Sequence, residues 1–178
     1  MSVSIGAIRT LLLENIQPAR GRHGWHGGAT PLGAVRGMSV GTALWRPTPE
    51  RKCIWELVLH IAYWKYAVRR RLEGGKAPRF PRSPANFPDL PEPADQAAWD
   101  ADRALLKTEH ERLLEVVAEI PPSQYGRRVQ SGKRWSTGEM ILGIAQHDAW
   151  HTGQIVMMKR LATPAPRLPS PAARRSSS

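Results

Sequence analysis

Apolar residues recur at helical spacing in three long stretches of the chain and in a shorter one at its start. Between 52 and 72, Ile54, Leu57, Val58, Ile61, Trp64, Val68 and Leu72 keep that period, and Gly74 with Gly75 end the run. Pro47 and Pro49 precede it, with Thr48 or a following residue as its cap, so the start of this helix is open by several residues. Between 94 and 119 the period passes through Ala98, Ala101, Leu105, Leu113, Val116 and Val117 to Ile120, where Pro121 and Pro122 stop it. A last helix over about 136–161 begins at a capping-box-like "STGE", with Ser136 or Thr137 as N-cap. Its apolar face carries Ile141, Ile144, Ala145, Ile155, Met158 and Leu161. Residues 2–16 are amphipathic as well and read as a first helix.

The connections are less regular. Residues 17–47 are rich in glycine and hold at most a short helical turn around Pro31 to Val35. Between the second and third long helices, 74–93 contains six prolines. So long a connection without structure of its own is uncommon in a compact domain, and it reads either as a functional or mobile lid or as a wrapped spacer. Strand-like alternation is scarce. Four helices joined this way predict an all-α fold, a four-helix bundle with long loops over residues 1–162, whose sites lie between facing helices. Residues 163–178, rich in Pro, Ser, Ala and Arg, offer nothing to bury and predict a disordered tail.

With 178 residues the chain suits one domain with a proper core. No apolar run approaches the roughly 20 residues that span a bilayer, and the first residues lack the charged leader and cleavage site of a secretory signal. Cys53 is the only cysteine, so an intrachain disulfide is excluded and a reducing cytoplasm is the expected location. The formal net charge is +11, of which the last 16 residues hold three arginines and no acid, leaving +8 for the rest. Arg69, Arg70 and Arg71 are consecutive; on a helix they point about 100° apart, an arc and not a stripe. A solvated helix end beside the negative pole of its dipole accounts for them, against a phosphate-binding patch as the alternative. Neither a membrane nor a nucleic acid is an expected partner.

The candidate chemistry lies in the last helix. His147 and His151, at i and i+4, leave one helix face a turn apart, where two imidazoles can share a divalent ion. Spacing alone leaves a metal pair and two ordinary helix residues both open. The pair sits among Ile144, Trp150 and Ile155, where unpartnered rings would be costly to bury. His60, in the middle of the second long helix beside Leu57 and Trp64, is a third imidazole without an obvious surface role. Three such ligands would leave coordination positions open, the layout of a reactive centre and not a closed structural one.

Several neighbours could serve that centre. Gln154 shares the face of the histidine pair; either it holds a ligand ring or a water, or it packs on a neighbouring helix that Gly153 lets approach. Glu56, one turn before His60, is a candidate to orient that ring, act as base or become a fourth ligand, with a surface carboxylate as the alternative. Asp148 points about 100° away from His147 and reads as a solvent or inter-helix contact. Cys53 reads as a small buried residue. His23 and His26 read as exposed loop residues, His110 as half-buried, and the seven tryptophans as core and pocket wall.

The segments "GIAQHDAWHTGQIVMMKR" at 143–160 and "CIWELVLHIAYWKYAVRRRLEGG" at 53–75 resemble the DinB superfamily of metal-binding four-helix bundles, which includes YfiT-type proteins. The resemblance extends to "GWHG" at 24–27 and "ALWRPTPERKCIWE" at 43–56, and so over most of 1–161. It implies a divalent metal ion, zinc or nickel, held by His60, His147 and His151. Trp150 stands where relatives often carry tyrosine, which removes a hydroxyl from the neighbourhood and puts tyrosine-dependent chemistry in doubt. The resemblance further implies a thiol-dependent S-transferase, with a small-molecule thiol and an electrophilic substrate as partners, and allows a homodimer. A hydrolase using a metal-bound water and a non-catalytic metal-binding stress protein are the alternatives. No catalytic residue is identified beyond the candidates Glu56 and Gln154.

Overall fold

The computed structural model of the chain describes residues 5–19, 27–75, 78–129 and 134–163. Its helices are α1 (Ile5–Ile16), α2 (Pro31–Ala34), α3 (Val40–Leu44), α4 (Ile54–Leu72), α5 (Gln96–Glu119) and α6 (Thr137–Ala162), with one 3-10 turn at Pro122–Gln124. No strand occurs among the described residues, so the fold is all-α. The four long helices are those that the hydrophobic pattern predicts, each within a few residues of its expected ends. The turn foreseen near Pro31 is α2, where Thr30 Oγ1 accepts from the Gly33 amide at 3.1 Å. The apolar pattern does not announce α3, which is too short for a period and is started by the Ser39 cap. Residues 164–178, His23 and His26 lie outside the described residues.

Caps fix where the long helices begin. Ser136 is the N-cap of α6, and Glu139 reaches back to its amide at 2.7 Å. For α4 the cap is Cys53 and not Thr48: Glu56 Oε2 accepts from the Cys53 amide at 2.9 Å, while the Thr48 carbonyl serves a separate turn through the Arg51 amide. Gly74 and Gly75, both at positive φ, end α4, and the Gly75 amide closes back on the Arg70 carbonyl at 2.7 Å. Only a residue without a Cβ adopts two such conformations in succession cheaply.

α4 is the centre of the bundle. It packs on α5 and α6 along its length and on α3 near its start, and from Ile54 to Ala62 every residue is buried. One core cluster gathers Trp55, Leu59, Trp99, Leu106 and Ile155; a second gathers Val68, Leu113, Val117, Ile141 and Ile144 with Ile16 from α1. Each such side chain taken from water contributes on the order of 1.5–3 kcal/mol. The buried stripe of α5 is rotated from the one expected. It runs through Trp99, Asp102, Leu106, Glu109, His110, Leu113 and Val117, and Ala101 is exposed. Leu161 at the end of α6 is also exposed.

The rotation follows from charges that are buried because they are paired. Asp102 accepts from Trp55 Nε1 at 2.8 Å and from Arg82 at 2.6 and 2.9 Å. Glu109 Oε2 accepts from Arg69 Nη2 at 2.9 Å and Nε at 3.2 Å. Arg69 is therefore buried, and only its neighbours Arg70 and Arg71 reach the surface. Lys65, without any exposed side-chain surface, meets Asp148 of α6 in a third pair.

The proline-rich connection from 78 to 93 is neither a lid standing free nor a mere spacer. Phe80, Phe87 and Leu90 pack against the first core cluster, and Arg82 ties it to α5 through Asp102. Its tip, Asn86, takes a positive φ of 73° and sits over α4 beside His60.

Candidate metal centre

His60 leaves the middle of α4 toward α6, and His147 and His151 leave consecutive turns of α6 toward α4. Each offers a ring nitrogen, and these atoms all lie within 4.8 Å of one another. The ring centroids of His147 and His151 are 4.5 Å apart, and those of His60 lie 5.0 and 4.7 Å from them. His60 is buried and the α6 pair is partly exposed, so the cluster has a closed back and an open front.

Hydrogen bonds orient two of the rings. His60 Nδ1 donates to the Asn86 carbonyl at 2.7 Å, and Phe87 stacks on the imidazole at 4.0 Å with planes 10° apart. His151 Nδ1 donates to Gln154 Oε1 at 2.7 Å. With Nδ1 protonated, each ring keeps its lone pair on Nε2, the arrangement of metal-binding histidines held by an outer acceptor. His60 Nε2 faces His147 Nε2 at 3.1 Å. Two nitrogens bound tetrahedrally to one zinc stand roughly 3.3 Å apart, so this separation suits a shared ion. His147 Nδ1 is buried without a hydrogen-bond partner, 3.9 Å from Asp148 Oδ1, which also lacks one.

Burial favours neutral rings. It pulls His60 down to about 4, against the hydrogen bond to Asn86, and the neighbouring histidines lower it further. His151 is lowered for the same reason, partly opposed by Gln154. Neutral imidazoles are the form that binds a metal. An all-nitrogen set of three fits zinc, nickel or copper better than the hard cations that prefer oxygen.

The remaining candidates separate clearly. Gln154 holds the His151 ring and does not pack on a helix; Gly153 has open space around it. Glu56 is buried, and its oxygens are engaged by Arg46 Nη1 at 2.5 Å, Lys52 at 2.9 Å and the Cys53 amide. Burial by itself would raise its carboxyl, but these donors more than offset that and hold it at about 2. It belongs to the start of α4 and is outside the histidine group. Cys53 is fully buried, which pushes its thiol up to about 11. His110 is buried and not half-buried; its Nε2 pairs with Gln17 Oε1 at 2.9 Å. Trp55 and Trp99 are core, whereas Trp150 and Trp135 are exposed at 70% and 57%, so Trp150 does not wall the cluster on the buried side.

Trp64 extends the site. Its ring centroid is 5.9 Å from that of His147, and its Nε1 donates to Asn86 Oδ1 at 2.9 Å. Beside the indole a groove of about 500 Å³ runs between α4 and the first turns of α6, with His147 among its walls.

A family model described as the DinB superfamily matches residues 29–155, most of the chain. The chain belongs to the DinB superfamily. That match spans α2 to most of α6 and includes all three histidines. Among curated proteins and among solved structures no match is found. The histidines of this DinB-superfamily chain were visible in its sequence, and of the two readings of Asp148 the inter-helix contact holds, but Asn86, Phe87 and the partner Lys65 were not visible. The glycine-free turn at Asn86, the loop residue type that best tolerates positive φ, was the one signal that could have drawn attention there.

Proposed function

We propose that this chain is a metal-dependent enzyme that transfers a low-molecular-weight thiol to an electrophilic substrate. The observation that carries the reading is the convergence of three imidazoles, two with their outer nitrogens held by acceptors, at a cluster closed behind and open in front. His60, His147 and His151 would hold a zinc or nickel ion. Such an ion supplies Lewis acidity, which draws a thiol toward its thiolate at neutral pH without a protein base.

The chain's residues then have separate tasks. Asn86 and Phe87 fix the plane of His60, and Gln154 fixes that of His151, so the donor set is organised before any ligand arrives. The buried back, made of α4 and the 78–93 segment, keeps bulk water to the front. The thiol sulfur forms a bond to the electrophilic carbon as the bond to the leaving group breaks. The leaving group takes the electron pair, and the thiol proton passes to solvent. Glu56 has no part in this step, because its carboxylate is engaged by the α4 start.

The test is to replace the native ion with cobalt and titrate glutathione, bacillithiol and mycothiol. Sulfur ligation adds an intense near-ultraviolet charge-transfer band, expected with at least one thiol and absent in His60→Ala. No response to any thiol, together with His151-dependent cleavage of esters or amides, would replace the transferase with a hydrolase. No response in either assay from a fully metal-loaded protein would leave a metal-holding protein.

A further inference from the structure

The groove beside the histidine cluster has a composition that selects its occupant. Trp64 and Val68 of α4 form one wall, and Met140, Leu142 and Ile144 of α6 form the other, with Trp135 at the rim. Its volume of about 500 Å³ lies within the range that takes a small organic molecule. Two charged residues border it. Glu139 is occupied: its carboxylate accepts from the Ser136 amide and hydroxyl, both at 2.7 Å, at the start of α6. Arg71 is not. It spends Nη1 on the Ala67 carbonyl at 2.8 Å and forms no ion pair among the described residues.

Trp64 neighbours both this cation and the cluster. The Arg71 guanidinium carbon is 6.0 Å from the indole centroid, and His147 is 5.9 Å from it. Arg71, Trp64 and His147 line the same groove, so a ligand lying on the indole has both the cation and an imidazole of the cluster within reach. Resting on the reading of the cluster as the reactive centre, we propose that the groove binds the electrophilic substrate, and that this substrate is an organic anion with an aromatic or branched apolar body. Its carboxylate pairs with Arg71, its body lies on Trp64, and its reacting carbon faces His147. A cationic substrate is repelled by Arg71 and finds Glu139 already engaged by Ser136, and a strongly polar one gains nothing from the apolar walls.

Three probes of one shape and different charge test the assignment: 2-naphthoate, 2-naphthamide and 2-naphthylmethylamine, each titrated into the metal-loaded protein while tryptophan emission is followed. Naphthoate is expected to bind tightest and the amine weakest. Arg71→Gln should weaken naphthoate by about tenfold or more, the loss expected for a hydrogen bond to a charged group, and should leave naphthamide unchanged. Arg70→Gln, the same change of charge at an exposed neighbour, should leave both affinities unchanged. Gly143 lines the groove with open space around its Cα, so Gly143→Phe fills it without disturbing the helix and should abolish all binding. Equal affinity for the three probes, or naphthoate binding indifferent to Arg71→Gln or Gly143→Phe, overturns the proposal. Metal content measured on the same samples separates the two readings. A His147-dependent ion with charge-blind probe binding removes the groove assignment alone, whereas Arg71-dependent naphthoate binding without any ion removes the metal reading alone.

Discussion

His60 on α4 faces His147 and His151 on α6; a little over one turn along, Lys65 on α4 faces Asp148 on the same stretch of α6. Both clusters put polar groups between the same two helices, yet they are built to opposite ends. Lys65 and Asp148 answer each other's charge in a buried place, and Arg69 with Glu109 repeats the arrangement a turn later. Two of the histidines, His60 and His151, lean on acceptors outside the cluster, and all three turn ring nitrogens toward one another. A buried pair whose charges cancel serves the fold; a cluster that leaves lone pairs converging is available for chemistry. The difference is measurable because one cluster should govern stability and the other metal affinity.

The largest effect is expected from breaking the closed pair. Lys65→Met leaves Asp148 as an unpaired charge in a buried position, which costs about 3–5 kcal/mol. Denaturant unfolding of the metal-free protein should show a loss of that size. Adding Asp148→Leu should recover most of it, since a matched apolar pair replaces a matched ionic one. If the single and double variants are equally unstable, the pair is not what Lys65 contributes. By contrast, His147→Ala in the metal-free protein should stay within about 1 kcal/mol of wild type.

Metal affinity should respond the other way. The parent chain is expected to bind one divalent ion, and His60→Ala or His147→Ala should weaken it by more than ~100-fold, beyond the range seen when only an outer partner is lost. Competition with a chelating dye reads this directly. Lys65→Met/Asp148→Leu, if folded, should retain the ion. Full occupancy in both histidine variants would remove the ligand assignment.

The same contrast explains what could be read from the sequence. Hydrophobic period, proline and glycine stops and the "STGE" cap located four long helices, because these signals are local. The i, i+4 histidines and His60 were legible because a metal site needs particular residue types. The buried face of α5 was not, since Asp102 and Glu109 count as solvent-facing until Trp55, Arg82 and Arg69 are known to meet them. The role of 78–93 was hidden for a like reason. Asn86 orients His60 through a backbone carbonyl, which every residue has and no sequence pattern marks.

His110 carries the stability side of the comparison into pH. Burial, reinforced by the charge of Lys65, holds its folded pKa at about 4, against an ordinary value of 6.5. Between those values the unfolded chain binds the extra proton, so stability falls as pH drops from 6.5 toward 4 and is fully present above 6.5. At pH 4.5 the loss attributable to His110 is about 2–3 kcal/mol. His110→Gln keeps a polar group beside Gln17 and has no proton to gain, so the loss of stability between pH 7 and 4.5, measured without metal, should shrink by about that amount in the variant, leaving the part that belongs to His60 and His151. An unchanged acid limb would place the titrating group elsewhere.

The smallest effect separates holding a ligand from being one. Gln154 touches His151 through a single hydrogen bond at 2.7 Å and is itself exposed, so its loss removes orientation and little else. Gln154→Leu should lower metal affinity by about 10-fold, the lower end for an outer partner, and shift the melting temperature of the metal-free protein hardly at all. Gln154→Glu keeps an acceptor at the same reach and adds a charge that favours the cation, so its affinity should equal or exceed wild type. A leucine variant that binds metal normally would show that the ring is held by packing on α6 alone, whereas one that loses the ion as completely as His151→Ala would make Gln154 a ligand and the donor set four.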